Sequence, residues 1–513
     1  MKDNKIKKII IIGGGLSGLS SGIFAQKNGY ISEIFERNTT AGGLCTSWYR
    51  KGYKIDGCIH WLTGTKEGTE LNRVWKSLDA FDQEDIIRDD NFGTIEVDGT
   101  PIVLWNDLNK LQDELIQLAP IDTKQIKKFI KDTKRIFEVP LPLENSMSDM
   151  SMFGVIKTGI LLIPYIPTII KCLSTSIVGY ADKFKSPLLK KFIATILPGN
   201  KHNLYQVLYA YGTCANGSGG VPFGGSTSLS LRLEKNYKDL GGLIHYRTDV
   251  DEIIVKDKKA IGIRLKNGEC HYADYVISST DIKHTLDSLL KHNYKSFRFG
   301  LRFKKTKKYH APSCVLASYS VDVNKLKSLG ITSTYEFKTD EFIVGATREN
   351  TIRIRTYEYD KTFIRNGRVL LNVLCHQDDD DFPIWKELYE DKEKYKMEKE
   401  NLGNLIKNKI ENKFRILKDD LELLDVVTPM TFVRYTNAYH GAYMPWSITH
   451  KNTMLLHDGK IRGIKNLILS GQWLQMPGGI PIAICTGKYA IDRINNKELR
   501  FPIVKLFKTA KLK

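Results

Sequence analysis

An α/β fold with a parallel βαβ unit at its N-terminus is what this sequence predicts, from three observations in its first 37 residues. A β-branched run, Ile9–Ile12, reads as a strand buried on both faces. Gly13, Gly15 and Gly18 follow at GxGxxG spacing and open a small-residue helical stretch, LSGLSSGIFAQKN, closed by Gly29. A second strand, Ile31–Phe35, ends on an acid, Glu36. Strand, glycine turn, helix, strand and acid in that order specify a dinucleotide cradle rather than an ordinary glycine-rich turn.

Each element has a physical task. Gly13 permits the tight turn, Gly15 lets a pyrophosphate approach the backbone, and Gly18 lets helix and strand pack closely. The helix N-terminus at Leu16 and Ser17 offers free N–H groups and a positive dipole end to phosphates. Glu36 stands where a carboxylate accepts hydrogen bonds from ribose hydroxyls, and it disfavours a 2′-phosphate, so NADP is not expected at this site.

The chain has 513 residues, enough for two or three domains, and a hydrophobic fraction of 42% supplies a core. Eight cysteines (45, 58, 172, 214, 270, 314, 375, 485) are scattered without a CxxC pair, and MKDNKIKK runs straight into the first strand. Both features lead to the expectation of a reducing, cytosolic compartment with structural thiols. The formal charge of +19 reflects either a bias in residue usage or attraction to an anionic surface. The excess is uneven: seven lysines face one acid, Asp182, between Ser151 and Ala210, and Arg500–Lys513 carries five cations and no acid. Apolar residues interleave with these cations and no nucleic-acid module is evident, which favours a membrane surface over nucleic acid.

Past Arg37, the segment NTTAGGLCTSWYRKGYKIDGCIHWLTG places Gly42, Gly43 and Thr46 where a larger dinucleotide needs a second close approach of backbone. Here the chain resembles the phytoene desaturase, carotenoid isomerase and retinol saturase flavoproteins. Their glycine fingerprint and acid are followed by an Arg, a Gly-Gly pair and a Phe/Ile-Asp-x-Gly segment. Ile55-Asp56-Gly57, His60-Trp61 and Gly64 look most like the retinol saturase branch, with one residue fewer between Asp56 and Gly57. The resemblance implies FAD as cofactor, bound by a discontinuous Rossmann-type FAD-binding domain in three segments, 1–75, 220–281 and 440–500. An inserted α+β substrate domain (76–219 and 282–439) and a basic tail (501–513) complete the expected organisation. The resemblance also implies that Val250 contacts adenine through its backbone. It implies further that a helix start around Gly471, Gln472, Gly478, Gly479 and Ile480 faces the flavin, with Gln472 standing where relatives often carry an acid.

The residues themselves support these returns. PFGGSTSLSLRLEKNYKDLGG reads as a glycine-entered helix, GLIHYRTDVDEIIV as a strand and hairpin arm, and Asn267-Gly268 as a type I′ turn. Leu467–Leu469 reads as a short buried strand, followed by a Pro477-Gly478-Gly479 turn and a helix from Pro481 to Arg493. Between the returns, Thr94–Val103 reads as a hairpin around Asp98-Gly99, YEDKEKYKMEKENLGNLIKNKI as a charged solvated helix, and Asp378–Asp381 as a solvated loop rather than a metal site. TPMTFVRYTNAYHGAYMPW resembles the family segment leading back to the flavin, with Arg434, Tyr435, Gly441 and Tyr443 at matching positions.

Met152–Leu173 is the most apolar stretch; Lys157, Lys171 and two prolines interrupt it, so it falls short of the roughly 20 residues a bilayer span needs. A core helix broken by proline and a monotopic patch dipping into a leaflet both remain open. The catalytic candidates are His60, Arg434 and Tyr443, each open to a structural role as well. The expected function is an FAD-dependent oxidoreductase that transfers hydride between flavin and a carbon of an apolar unsaturated lipid, carotenoid- or retinoid-like, as desaturase or saturase. Its electron partner is a diffusing NAD(P)H, quinone or O2, because no second strand–GxGxxG–helix unit is present. A flavin amine oxidase and a non-redox polyene isomerase are the alternatives. The expected location is cytoplasmic, peripheral on the inner face of the membrane.

Overall fold

A computed structural model describes residues 6–140, 142–197, 202–452 and 454–495; the basic tail therefore lies outside the described residues. The N-terminal unit forms as its pattern dictates. Strand β1 (Lys8–Ile12) leads into helix α1 (Leu16–Lys27) and strand β2 (Ile31–Phe35). Ile9, Ile10 and Ile11 have no exposed surface, as a central parallel strand covered on both faces requires. Helix α2 (Gly225–Asp239), β3 (Leu243–His245), β4 (Tyr275–Ser278), β5 (Leu467–Leu469) and α3 (Gly479–Asn495) complete this layer. The sheet runs β3-β2-β1-β4-β5, every neighbour parallel. Its order reverses between β1 and β4, and the crevice at such a switch point is where open α/β sheets bind ligands.

The two remaining stretches of chain build one mixed sheet. Its path runs through Glu422–Val427, Ser313–Asp322, Arg368–Gln377, Thr347–Thr356, Thr334–Val344, Asn91–Val97 and Thr100–Trp105. Asn91–Val97 pairs in parallel with Thr334–Val344, Thr94 opposite Tyr335, so residues 241 positions apart share one ladder. The hairpin at Asp98-Gly99 forms with both residues left-handed (φ 50° and 82°), as a type I′ turn requires. Helix Lys392–Lys413 covers the sheet with Leu402, Ile406 and Ile410 inward and most of its charged residues outward, Glu411 being buried.

Four local readings change. At Asn267-Gly268 only Gly268 is left-handed (φ 90°) and its N–H donates to the Leu265 carbonyl, so the turn is not type I′. The type I′ turn of this meander lies instead at Asp257-Lys258 (φ 50° and 59°), where strand twist overrides residue preference. Asp378–Asp381 is not a solvated loop: Asp381 is fully buried and accepts from the Ala346, Thr347 and Asp378 amides at 2.8–2.9 Å, tying two strand ends together. Helix α3 begins at Gly479, two residues before Pro481, because Gly478 and Gly479 take positive φ (82° and 78°) and turn the chain early. Met152–Ser174 is not a core helix, since the apolar window of this run is 0% buried.

Candidate active site

The first cradle is made of backbone. The Gly13 N–H donates to the Phe35 carbonyl at 2.9 Å, and a Cβ on Gly18 would lie 2.0 Å from the Gly13 carbonyl oxygen. Those two glycines are consumed by packing. Gly15 is different: it is the N-cap of α1 with no side-chain cap, and a Cβ there meets nothing closer than 3.9 Å. The second glycine pair closes over it, with the Gly42 N–H on the Gly14 carbonyl (2.9 Å) and the Gly43 site 3.2 Å from the Gly15 Cα. Ser17 Oγ, in the first turn of α1, is buried without a hydrogen-bond partner among the described residues. Leu16 is buried beneath the turn, and Thr46 Oγ1 donates to the Ser47 carbonyl where this loop runs on into strand Ser47–Arg50.

Glu36 is buried at the end of β2, its carboxylate accepting from the Gly14 N–H (2.7 Å) and from Asn38 (2.8 and 2.9 Å). The Thr248 N–H donates to the Glu36 carbonyl at 2.9 Å, which sets the loop leading to Val250 beside the acid. Arg37 keeps one buried Nη without a partner among the described residues, and its other Nη is 3.9 Å from Asp249. Asp56 proves to be a joint: it accepts from the Ser226 N–H (2.6 Å), the Ser226 hydroxyl (2.7 Å) and the Cys58 N–H (3.1 Å), fastening the N-terminal segment to the start of α2.

The second cradle sits beside the first. Helices α1 and α3 touch through Ser20 Oγ on the Ile484 carbonyl (2.7 Å), and a Cβ on Gly487 would lie 2.6 Å from the Ser17 carbonyl oxygen. The start of α1 thus packs against α3 one to two turns inside it, and each helix follows a strand of the parallel sheet, α1 after β1 and α3 after β5. Ser20 and Gly487 escape a reading of motifs; their signal is the small-residue face of each helix. Gln472 bridges the approach, donating to the Tyr443 carbonyl (3.0 Å) and accepting from the Gly479 N–H (3.1 Å). The Gly471 N–H donates to Thr486 Oγ1 (2.9 Å), and Ile480 is partly buried against the core of the nucleotide sheet.

Beyond Gln472 lies a second kind of site, made of side chains. The Tyr443 hydroxyl and His376 Nδ1 hydrogen-bond at 3.3 Å. His60, His376, Tyr443, Tyr205 and Tyr209 are each only partly accessible, and burial shifts the titration of every one of them. The rings of Tyr205 and Tyr209 stack at 5.9 Å. Burial, with the positive charge of Arg355 nearby, holds the His60 imidazole down to about 3. Burial, with His202 and Arg353, does the same to His376, also about 3. Burial pushes the Tyr443 phenol well above its ordinary range. At neutral pH these groups are all uncharged. Arg355 lies behind them, its Nη2 donating to the His60 carbonyl at 3.0 Å.

The expected catalytic trio is therefore split. His60 and Tyr443 join the same environment, with His376 as an additional member that no motif indicated. Arg434 stays outside: it is exposed and donates to the Tyr435 hydroxyl on the surface. The reason is backbone geometry. Helix Pro429–Thr436 ends at a left-handed Asn437 (φ 52°) and the chain turns again at His440 (φ 50°), so Tyr443 passes inward while Arg434 remains on the outer face.

Comparison with known proteins agrees with this architecture. Residues 11–78 match the model of the NAD(P)-binding Rossmann-like domain. A 1-hydroxycarotenoid 3,4-desaturase from Flavobacterium is 24% identical over 96% of this chain and 99% of its own. An all-trans-retinol 13,14-reductase from Danio rerio is 22% identical over 94% of this chain and 86% of its own. A solved oxidoreductase from Methanosarcina mazei shares the fold, with a TM-score of 0.57 at 20% identity, covering 95% of this chain and 100% of that one. Over 85–96% of its length, this chain is similar, at 22–24% identity, to carotenoid desaturases, prolycopene isomerases and a retinol reductase.

Proposed function

We propose that the protein is an FAD-dependent oxidoreductase acting on a carbon–carbon bond of an apolar, polyene-like lipid. The observation that carries this reading is the pair of glycine-entered helices, α1 and α3, packed together after parallel strands β1 and β5, with the buried, uncharged His60, His376 and Tyr443 reached through Gln472. The residues fit the cofactor. Gly15 leaves room at an uncapped helix start, Ser17 Oγ and Arg37 Nη1 are buried without partners among the described residues, and Glu36 is placed for ribose. In this reading Gly13, Gly15, Leu16, Ser17, Gly18, Glu36, Arg37, Gly42, Gly43, Thr46 and Val250 serve the adenosine and pyrophosphate. Gly471, Gln472, Gly478, Gly479 and Ile480 serve the flavin end. Residues 1–75, 220–281 and 440–500 form the cofactor unit, and 76–219 with 282–439 form the substrate unit.

When bound, the flavin supplies the hydride chemistry. The chain's own groups do the rest. The start of α3 offers a positive dipole end where negative charge accumulates on reduction. The uncharged His60, His376 and Tyr443 exclude water and position the polyene without protonating it, since neither imidazole is in its acidic imidazolium form at neutral pH. Electrons enter or leave through a diffusing NAD(P)H, quinone or O2. The reading includes a membrane surface as partner, because such lipids reside in bilayers, and a cytoplasmic protein attached peripherally to the inner face.

The test is direct: add extracted lipid classes anaerobically to the reduced and to the oxidised flavoprotein and follow flavin colour. Bleaching or reoxidation by a polyene fraction supports the reading. Peroxide formation with amines and no response to any polyene overturns it in favour of an amine oxidase. A product of unchanged mass assigns a polyene isomerase instead, the reading that the likeness to prolycopene isomerases favours.

A further inference from the structure

We infer that the helical run Met152–Ser174, together with the lysine row of helix Thr123–Phe137, forms a docking face for an anionic lipid leaflet. The run comprises helix Met152–Leu162, a tighter turn Ile163–Tyr165 and helix Ile166–Ser174. Phe153, Ile156, Ile160, Ile163, Ile166 and Ile170 are 43–77% exposed. They recur every three or four residues, so they form one stripe along one side of the run, about 26 Å long. A soluble helix turns such a stripe inward; this one turns it out.

The opposite side is pinned down. Arg135 donates to the Pro164 carbonyl at 2.6 Å, Lys171 lies 3.6 Å from Asp132, and Asn203 donates to the Leu173 carbonyl at 3.3 Å, with Cys172 fully buried. By length and composition the run is apolar enough to cross a membrane. Crossing would tear out each of these attachments, so the run lies flat, with its stripe available to penetrate one leaflet.

Charge decides what meets the stripe. Beside it, Lys127, Lys128, Lys131, Arg135 and Lys171 line a cleft of about 470 Å³. Its one acid, Asp132, is buried and already engaged by Lys128 at 2.7 Å and by Lys171. Lys127, Lys131 and Lys134 are exposed and have no acidic partner among the described residues. An apolar ridge flanked by uncompensated cations is complementary to acyl chains beneath anionic headgroups. A second copy of the chain would bring two such lysine rows together, and they would repel. The face also adjoins the helix that carries two stacked tyrosines: the Leu204 N–H donates to the Thr175 carbonyl at 2.8 Å, and helix Leu204–Ala215 carries Tyr205 and Tyr209. A lipid leaving the leaflet here meets that helix first.

The experiment needs neither flavin nor substrate, so its outcome is separate from that of the redox reading. The full chain is co-sedimented with phosphatidylcholine vesicles, with and without phosphatidylglycerol, at low and high salt. Salt-sensitive binding that requires phosphatidylglycerol is expected. Lys127→Gln/Lys131→Gln/Lys134→Gln should lower partitioning about 100-fold, from roughly fivefold for each lysine at the surface. Phe153→Ser/Ile156→Ser/Ile160→Ser, all at exposed positions, should remove the remainder at high salt while leaving the thermal unfolding midpoint unchanged. Equal binding of the lysine variant overturns the charge argument. Competition by millimolar glycerol phosphate would show a site for free phosphate rather than a leaflet. Resistance to alkaline carbonate would show a spanning segment. A dimer abolished by the Phe153 variant, with no vesicle binding, would assign the stripe to a second copy. Each of these three results overturns the proposal.

Discussion

The two halves of the site are made of different material. On the nucleotide side the working groups are backbone amides and carbonyls held in position by glycines. On the substrate side they are side chains gathered from His60, Tyr205, His376 and Tyr443, four segments distant in sequence. A backbone site tolerates change in its surroundings but not a Cβ at the wrong place. A side-chain site is set by desolvation, so its chemistry depends on what is packed around it.

This contrast can be broken most severely at Gly15. Gly15→Val has room to fold, with 3.9 Å to the nearest atoms of the Gly42–Gly43 loop, yet its methyls would fill the space the pyrophosphate needs. Flavin affinity should fall about 1000-fold, roughly 4 kcal/mol, with the unfolding midpoint little changed. Normal flavin absorbance in the purified variant would contradict the cradle.

The side-chain half answers to pH. The folded-state values of His60 and His376 lie near 3, below the ordinary 6.5, so the native state binds fewer protons than the unfolded chain. Their contribution to stability is fully present above pH 6.5 and drains away as pH falls toward 3. Denaturant titrations of His60→Gln/His376→Gln should show roughly 3 kcal/mol less loss between pH 6.5 and 5 than the unaltered chain. Parallel curves would mean that the two imidazoles are solvated.

Smaller effects lie at the seams. Gly487→Ala places a Cβ 2.6 Å from the Ser17 carbonyl oxygen, forcing α1 and α3 apart. It should cost about 2 kcal/mol in unfolding free energy and weaken flavin retention, linking the two cradles. Gln472→Ala removes a bridge between the Tyr443 carbonyl and the Gly479 N–H and should cost about 1 kcal/mol. A larger response in flavin redox potential than in stability would place that amide against the cofactor.

Legibility followed the same division. Ile9–Ile12, the three fingerprint glycines, Glu36 and Leu467–Leu469 signal their roles through neighbours in sequence, because strand burial and glycine conformations are local demands. His376 gave no such signal: it sits near the end of a mostly buried strand, Arg368–Gln377, and becomes notable only when Tyr443 arrives beside it. Arg434 carried a family match and still ended outside, since two left-handed residues after it steer the chain. Asp381 looked solvated within a run of acids because charge composition says nothing about which carboxylate will meet amides from another strand.

What the chain's order of residues determined alone was the parallel βαβ unit, its glycine-opened helix and an apolar stretch edged by lysines. Periodicity and backbone sterics act over a few residues and need no partner. Tertiary structure decided which histidines lose their charge, which helices pack together, and that the apolar run Met152–Ser174 turns outward. Desolvation, close approach and exposure are properties of the surroundings a residue acquires only when distant segments pack against it.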